Sequence, residues 1–182
     1  MSSNLLRGTR CYLIGHMEYA PGRDWRKHVI DELGPRGIVF FNPYNKPFLS
    51  DTPEDEQSRS EMNRWRETSQ WELLTARMKK VRTQDLRLVD ISDFLIVNII
   101  PHVASWGSSE EITTAVREKK PLFLSIDDPK GKLSCPMWFF GKIPHKYIYD
   151  NIDCIIEKIK AIDDGIIPMC SDRWRLLKPE YR

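Results

Sequence analysis

A chain of 182 residues, 41% of them hydrophobic, is long enough to bury a sizeable core, and one domain is the default. Its formal charge of +2, with both signs spread along the chain, excludes any argument from charge for binding a nucleic-acid polymer. No apolar run approaches a membrane span, and the opening MSSNLLRGTR lacks the apolar core of a secretion signal, so a soluble protein with no membrane partner is expected.

The first apolar run, Arg10 to Gly15 (RCYLIG), reads as a strand, and HMEYAPGRD after it as a loop. Asp24 is placed to cap a helix from Trp25 to about Leu33, which Gly34 and Pro35 stop. Gly37 to Phe41 (GIVFF) is a second strand, closed by the Asn42-Pro43-Tyr44 turn. From Asn45 to about Ser60 the composition turns polar and acidic, which predicts an irregular excursion, either a solvated loop or a lid over a substrate. A long helix follows from about Met62 through Trp71 and Leu74 towards Val89, with a break expected near Thr83. Its cations Arg77, Lys79, Lys80 and Arg82 read as a solvated face.

Phe94 to Ile100 is almost continuously apolar, with one polar break at Asn98, as suits a parallel strand covered on both faces. Pro101 ends it. Gly107, Ser108 and Ser109 open a helix whose apolar positions Ile112, Ala115 and Val116 recur at helical spacing, with Glu111 in its first turn. Pro121 to Ile126 is a fourth strand, the Asp127 to Gly131 segment a turn, and Lys146 to Tyr149 a short fifth strand. Ile152, Ile155, Ile156 and Ile159 mark a last helix that ends before Gly165. This alternation predicts an α/β doubly wound parallel sheet over residues 1–165, with residues 166–182 as a tail on the body or on a neighbouring subunit.

The usual phosphate-loop, dinucleotide and serine-hydrolase motifs are absent. Cys11, Cys135, Cys154 and Cys170 lie far apart, which indicates neither a zinc site nor a disulfide framework and suits reduced thiols in a cytoplasmic protein. His16, His28, His102 and His145 show no metal-ligand spacing, so no metal is expected. Carboxylates remain, and Asp85, Asp90, Asp93, Glu110 and Glu111 gather around the third strand. Glu111 has two readings. At the carboxyl edge of a buried parallel strand it is placed to act on a ligand, while Ser108-x-x-Glu111 is also a capping-box pattern, which spacing alone favours.

In order and spacing these residues resemble the nucleoside 2-deoxyribosyltransferase family and the related nucleoside 5′-monophosphate N-glycosidases. The family pattern has a tyrosine and a glycine at the first strand, an aspartate eight residues before one that opens a strand, and a glycine four residues before the catalytic glutamate; here these are Tyr12 and Gly15, Asp85 and Asp93, Gly107 and Glu111. The resemblance spans most of Tyr12 to Lys120 and turns the reading of Glu111 towards catalysis. It implies a flavodoxin-like sheet of about five strands and a double displacement at the anomeric carbon, without metal or organic cofactor. Glu111 is then the nucleophile, Asp85 the proton-handling or base-holding acid, and Tyr12 the group that orients Glu111. Gly15, Asn42, Asp93, Ser105 and Gly107 are the expected substrate contacts, Gly15 by letting the chain approach the ligand closely; Trp106 and His102 are further candidates.

Two departures stand out. The transferases carry an acid six residues before the glutamate, where this chain has Ser105, a hydroxyl that suits a 5′-phosphate better than a carboxylate does. Thr113 replaces a small glycine and points to a changed pocket. The expected partner is a small nucleoside or nucleotide, and the expected assembly a homo-oligomer. The alternatives are a nucleotide-binding or sensing module of the same fold without turnover, and an interaction subunit that uses the tail around Trp174.

Overall fold

The structure, a computed structural model, describes residues 4–17, 21–45, 55–167 and 173–174. Its strands are β1 (Arg10–Gly15), β2 (Val39–Phe41), β3 (Phe94–Ile99), β4 (Leu122–Ile126) and β5 (Ile148–Tyr149). All pair in parallel, in the order β2-β1-β3-β4-β5, the flavodoxin-like doubly wound arrangement. Helices α1 (Pro21–Leu33) and α5 (Ile152–Asp163) cover one face of this sheet, and α3 (Trp71–Ile91) and α4 (Trp106–Arg117) the other.

The two-residue period of the strands divides the core between these faces. Cys11, Leu13, Phe94, Ile96 and Phe123 pack with Trp25, Val29 and Leu33 of α1 and the isoleucine stripe of α5. Tyr12, Ile14, Leu95, Val97 and Leu124 point the other way, towards Leu88 and Val89 of α3 and Ile112 and Ala115 of α4. Tyr12 therefore lies under α4 because it is an even-numbered residue of β1. Trp174 is buried on the first face, with ring centroids 5.5 Å from Phe94 and 5.9 Å from Phe123.

Several boundaries differ from the sequence reading. The first helix starts at Pro21, ahead of Asp24, and its end tightens into a 3-10 turn (Gly34–Arg36) before Gly37 takes φ 83°. Of the acidic excursion, residues 46–54, where a solvated loop or a lid was expected, lie outside the described residues. Its end is helical: Asp55 accepts the Ser58 N–H at 2.8 Å and caps α2 (Glu56–Glu67). The expected long helix is thus two helices, broken not at Thr83 but at Ser69, whose φ of 57° no helix accommodates. Thr83 stays helical, its hydroxyl bonded to the Lys79 carbonyl one turn back. Between β4 and β5 the crossover is built from 3-10 turns, one of which, His145–Tyr147, shortens the expected fifth strand. Most of the tail, and with it any contact to a neighbour, lies outside the described residues. Among those described, no helix is long and apolar enough to cross a membrane.

One ionic knot ties the start of the described chain to the 3-10 turn after α1 and to α5. The Asp163 carboxylate is fully buried; it accepts the Leu6 N–H at 2.8 Å and the Arg36 guanidinium at 2.7 Å, while Arg36 also reaches Asp164 at 2.8 Å. Arg36 holds the Asp164 carboxyl below its ordinary value of 3.8, so stability from that contact is present above this pH and is lost as the pH falls below it. Removing one partner of a buried pair leaves a desolvated charge uncompensated. Arg36→Ala is expected to cost on the order of 3 kcal/mol, read as a lower urea midpoint with an unchanged slope.

Candidate functional site

Helix α4 begins earlier than a Ser108 cap would require. Its N-cap is Ser105, whose side chain makes no capping bond, and its first residue is Trp106. Ser108 is therefore inside the helix, and Glu111 is in the second turn, not the first. The capping box is not formed. Ser108, Glu111, Ile112 and Ala115 are the buried residues of α4, a stripe at i, i+3, i+4 and i+7 that faces the sheet. A carboxylate on such a stripe costs several kcal/mol unless hydrogen-bonded. The Tyr12 hydroxyl, rising from β1 on the same face, donates to Glu111 Oε1 at 2.7 Å.

These two residues border a cavity of about 320 Å³ at the carboxyl edge of β1 and β3, where Asp85 of α3 joins them together with Gly15, Ser105 and Gly107. Asn42 and Asp93 do not reach it. Asn42 is spent on its own turn, its Oδ1 accepting the Tyr44 N–H at 3.1 Å, and Pro43 lines the cavity in its place. Asp93 stands before β3, at the amino edge, where it accepts the Arg10 N–H at 2.7 Å. A six-residue parallel strand separates its two edges by about 20 Å. His102 is exposed and lies outside the cavity wall. Thr113 also turns elsewhere: its hydroxyl donates to the Ser109 carbonyl at 2.7 Å and accepts from Lys142 Nζ at 2.9 Å, so it braces α4 instead of reshaping the pocket.

The two glycines differ in what excludes a side chain. At Gly15 a Cβ would lie 2.7 Å from the Asn98 carbonyl oxygen and 3.0 Å from the Trp25 ring, so protein atoms, not a ligand, demand glycine there. At Gly107 a Cβ would meet nothing within 4 Å, which leaves its space to the cavity.

Sequence reasoning missed the polar platform beneath the cavity. Arg26 is fully buried in α1 and donates to the carbonyls of Leu13 at 3.3 Å, Gly15 at 3.0 Å and His16 at 3.2 Å, with its guanidinium 4.5 Å over the Trp25 ring. It thus satisfies the end of β1 just where the chain leaves the sheet. Its signal was present in the pattern, since Arg26 shares the buried stripe of Val29 and Leu33 at i+3 and i+7. His16, in the cavity wall, has its pKa pushed below the ordinary 6.5 by burial and by the Arg26 charge, against the opposing pull of Asp127. Asn98 accepts the Ser125 hydroxyl at 2.6 Å and donates to Asp127 at 3.3 Å, which explains the polar break in β3.

A second cavity of about 490 Å³ lies between α3 and α4. Met78, Val81, Asp85, Trp106, Gly107 and Glu111 border both. Arg82 and Glu110 close one wall as a bidentate pair, with Nε donating to Oε2 at 2.8 Å, which keeps the Glu110 carboxyl below its ordinary range. This pairing gives Arg82 a partner that the solvated-face reading did not anticipate. Among the described residues, no group of three His, Cys, Asp or Glu is placed to hold a metal ion.

No protein-family model matches the chain, and no curated protein matches its sequence.

The glycine contrast has a measurable consequence. Gly15→Ala forces backbone apart and is expected to cost about 1–3 kcal/mol. Gly107→Ala removes a glycine from a helix and should leave stability unchanged or raise it by up to about 1 kcal/mol. Urea unfolding of both variants checks the pair.

Proposed function

We propose that this protein cleaves the N-glycosidic bond of a (deoxy)nucleoside or its 5′-monophosphate, with Glu111 as nucleophile. The observation that carries this reading is the 2.7 Å hydrogen bond from Tyr12 to a buried carboxylate, Glu111, in a cavity that also contains Asp85. The resemblance to nucleoside 2-deoxyribosyltransferases and nucleoside 5′-monophosphate N-glycosidases supports it through the same residues.

In this mechanism one Glu111 carboxylate oxygen attacks C1′ as the bond from C1′ to the base nitrogen breaks. Asp85, entering as the acid, gives its proton to the departing base and becomes a carboxylate. Water or the nitrogen of another base then attacks C1′ of the glycosyl ester. Asp85 takes the proton that this nucleophile sheds, and Glu111 is released as a carboxylate. Tyr12 keeps the attacking oxygens in one orientation throughout. The helix end contributes less than a first-turn position would, because the dipole effect falls off within that turn.

A 5′-monophosphate is the favoured substrate. Ser105 and Ser108 border the cavity at the start of α4, the first turn of α4 contains no acid, and the Ser105 hydroxyl is not used as a cap. Backbone N–H groups of a helix start and hydroxyl donors suit a phosphate. The proposal includes a cytoplasmic setting, in keeping with the free thiols of Cys11, Cys135 and Cys154, and a homo-oligomer, checked by mass in solution.

Incubation with deoxynucleosides and deoxynucleotides, with and without an acceptor base, tests the reaction. Base release that Glu111→Gln lowers by roughly a thousandfold or more is expected. Tyr12→Phe should lower kcat about 10- to 100-fold with little change in KM, in line with about 1.5–3 kcal/mol for a hydrogen bond to a charged group. No base release from any substrate, or full turnover by Glu111→Gln, overturns the reading. Ligand binding that raises Tm without base release would select the sensing module instead.

Substrate choice has its own test. Ser105→Asp places a negative charge beside the 5′ position and should lower kcat/KM for the monophosphate at least tenfold more than for the nucleoside. Equal effects on both would remove Ser105 from phosphate recognition.

A further inference from the structure

We propose that the crossover between β4 and β5 is a docking surface for an anionic phospholipid bilayer, held on one leaflet by apolar insertion and lysine contacts. Residues 127–147 join two neighbouring parallel strands, a connection that usually carries a helix, through short 3-10 turns instead. Cys135 and Ile143 are buried in the core and Phe139 packs against it, so the segment is anchored from beneath. Its other apolar side chains face outward. Leu133 is 91% exposed, Met137 88% and Trp138 78%, with Phe140 exposed beside them. Four of the ten large exposed hydrophobic residues described thus fall within eight consecutive positions, a concentration that calls for a partner where scattered ones would not. In a 3-10 turn residues three apart lie above one another, so Met137 and Phe140 share one face of the turn Met137–Gly141 and Phe139 falls away from it.

Charge selects the partner. Residues 129–149 contain Lys130, Lys132, Lys142 and Lys146 and no acid. Asp127 and Asp128 precede this stretch and Asp150 follows it, and all three bond to the protein's own groups: Asp127 accepts the Asn98 amide at 3.3 Å, Asp128 the Ser134 hydroxyl at 2.6 Å and Asp150 the Lys132 N–H at 2.8 Å. The Lys132 ammonium donates to the His145 carbonyl and that of Lys142 to the Thr113 hydroxyl, neutral acceptors that leave both charges in place. A second copy seated on this patch about a two-fold axis would set the lysines against their own counterparts, which repel. A folded protein partner would need a recess for each protruding side chain. An anionic bilayer meets both demands: Leu133, Met137, Trp138 and Phe140 enter the boundary between headgroups and acyl chains, the indole N–H stays at the wet edge, and the lysines reach lipid phosphates. Attachment to one leaflet requires no spanning helix, so the expectation of no membrane partner, which rests on the lack of an apolar span, does not cover it. None of these residues borders either cavity, and the proposal is independent of the N-glycosidic reading.

Sedimentation of the full chain with vesicles of phosphatidylcholine, alone or mixed with phosphatidylserine, tests the surface. Binding to the mixed vesicles is expected to be at least tenfold tighter than to the neutral ones and to weaken as salt is raised. Met137→Ser combined with Trp138→Ser changes two exposed positions, and should weaken binding at least tenfold with Tm unchanged. Lys130→Glu combined with Lys146→Glu, also at exposed positions, should weaken binding to the mixed vesicles at least tenfold. Absence of binding to the mixed vesicles, or full binding by either double variant, overturns the proposal. Polyglutamate that binds the chain while the mixed vesicles do not would identify an acidic polypeptide as the partner and would overturn it as well. So would a lower solution mass for the Met137 and Trp138 double variant with no vesicle binding by the wild type, which would identify a second copy as the occupant.

Discussion

A carboxylate on the sheet-facing stripe of α4 is the constraint from which the rest of the site follows. Ile112 and Ala115 draw that stripe onto the sheet at β1 and β4, and Glu111 is carried inward with them. Glu111 is buried there, so the protein must supply hydrogen bonds that an ionised group needs. Tyr12 supplies one from β1, and its ring is itself buried in the core. The contact joins residues 99 apart in the chain. It holds α4 in register against the sheet and leaves the other side of the carboxylate towards the cavity.

The sheet order explains why this happens at β1 and β3. In the order β2-β1-β3-β4-β5 the chain leaves these neighbouring strands towards opposite faces, and a crevice opens between the two departing loops. Such a crevice exposes strand-end carbonyls and invites collapse. Arg26 meets the first problem by donating to Leu13, Gly15 and His16, and the chain of Ser125, Asn98 and Asp127 stiffens the adjacent ends of β3 and β4. Gly15 lets β1 approach Asn98 closely enough for this packing. The cavity floor is thus a satisfied polar layer instead of a loose loop, as a positioned carboxylate requires.

Helix α3 gives the site its second half. It brings Asp85 to the cavity, and between it and α4 lies the space that Arg82 and Glu110 close on one side. The clamp between Arg82 and Glu110 sits at the surface and is screened by solvent, so its role is geometric more than energetic.

Much of this was legible in the chain itself. Continuous apolar runs mark β1, β3 and β4 as strands covered on both faces, and the alternation with helical stripes gives the doubly wound class, because burial imposes those periods on any such sheet. Tyr12, Asp85, Ser105, Gly107 and Glu111 were also readable as one set, through spacing and resemblance. The helix break at Ser69 was not, since it depends on a left-handed backbone that serine rarely adopts. Nor was the true start of α4: Ser105 and Ser108 both match an N-cap, and only the packing of Ile112 and Ala115 decides which is inside the helix. Asp93 and Asn42 matched by position in the chain, yet one stands at the amino edge and the other is absorbed in a turn. Local pattern determined the elements and their buried faces because periodicity is a property of consecutive residues. Which carboxylates share a cavity, and which glycine leaves its space to that cavity, only the tertiary structure decided, because strand order and helix placement bring together residues that the chain keeps far apart.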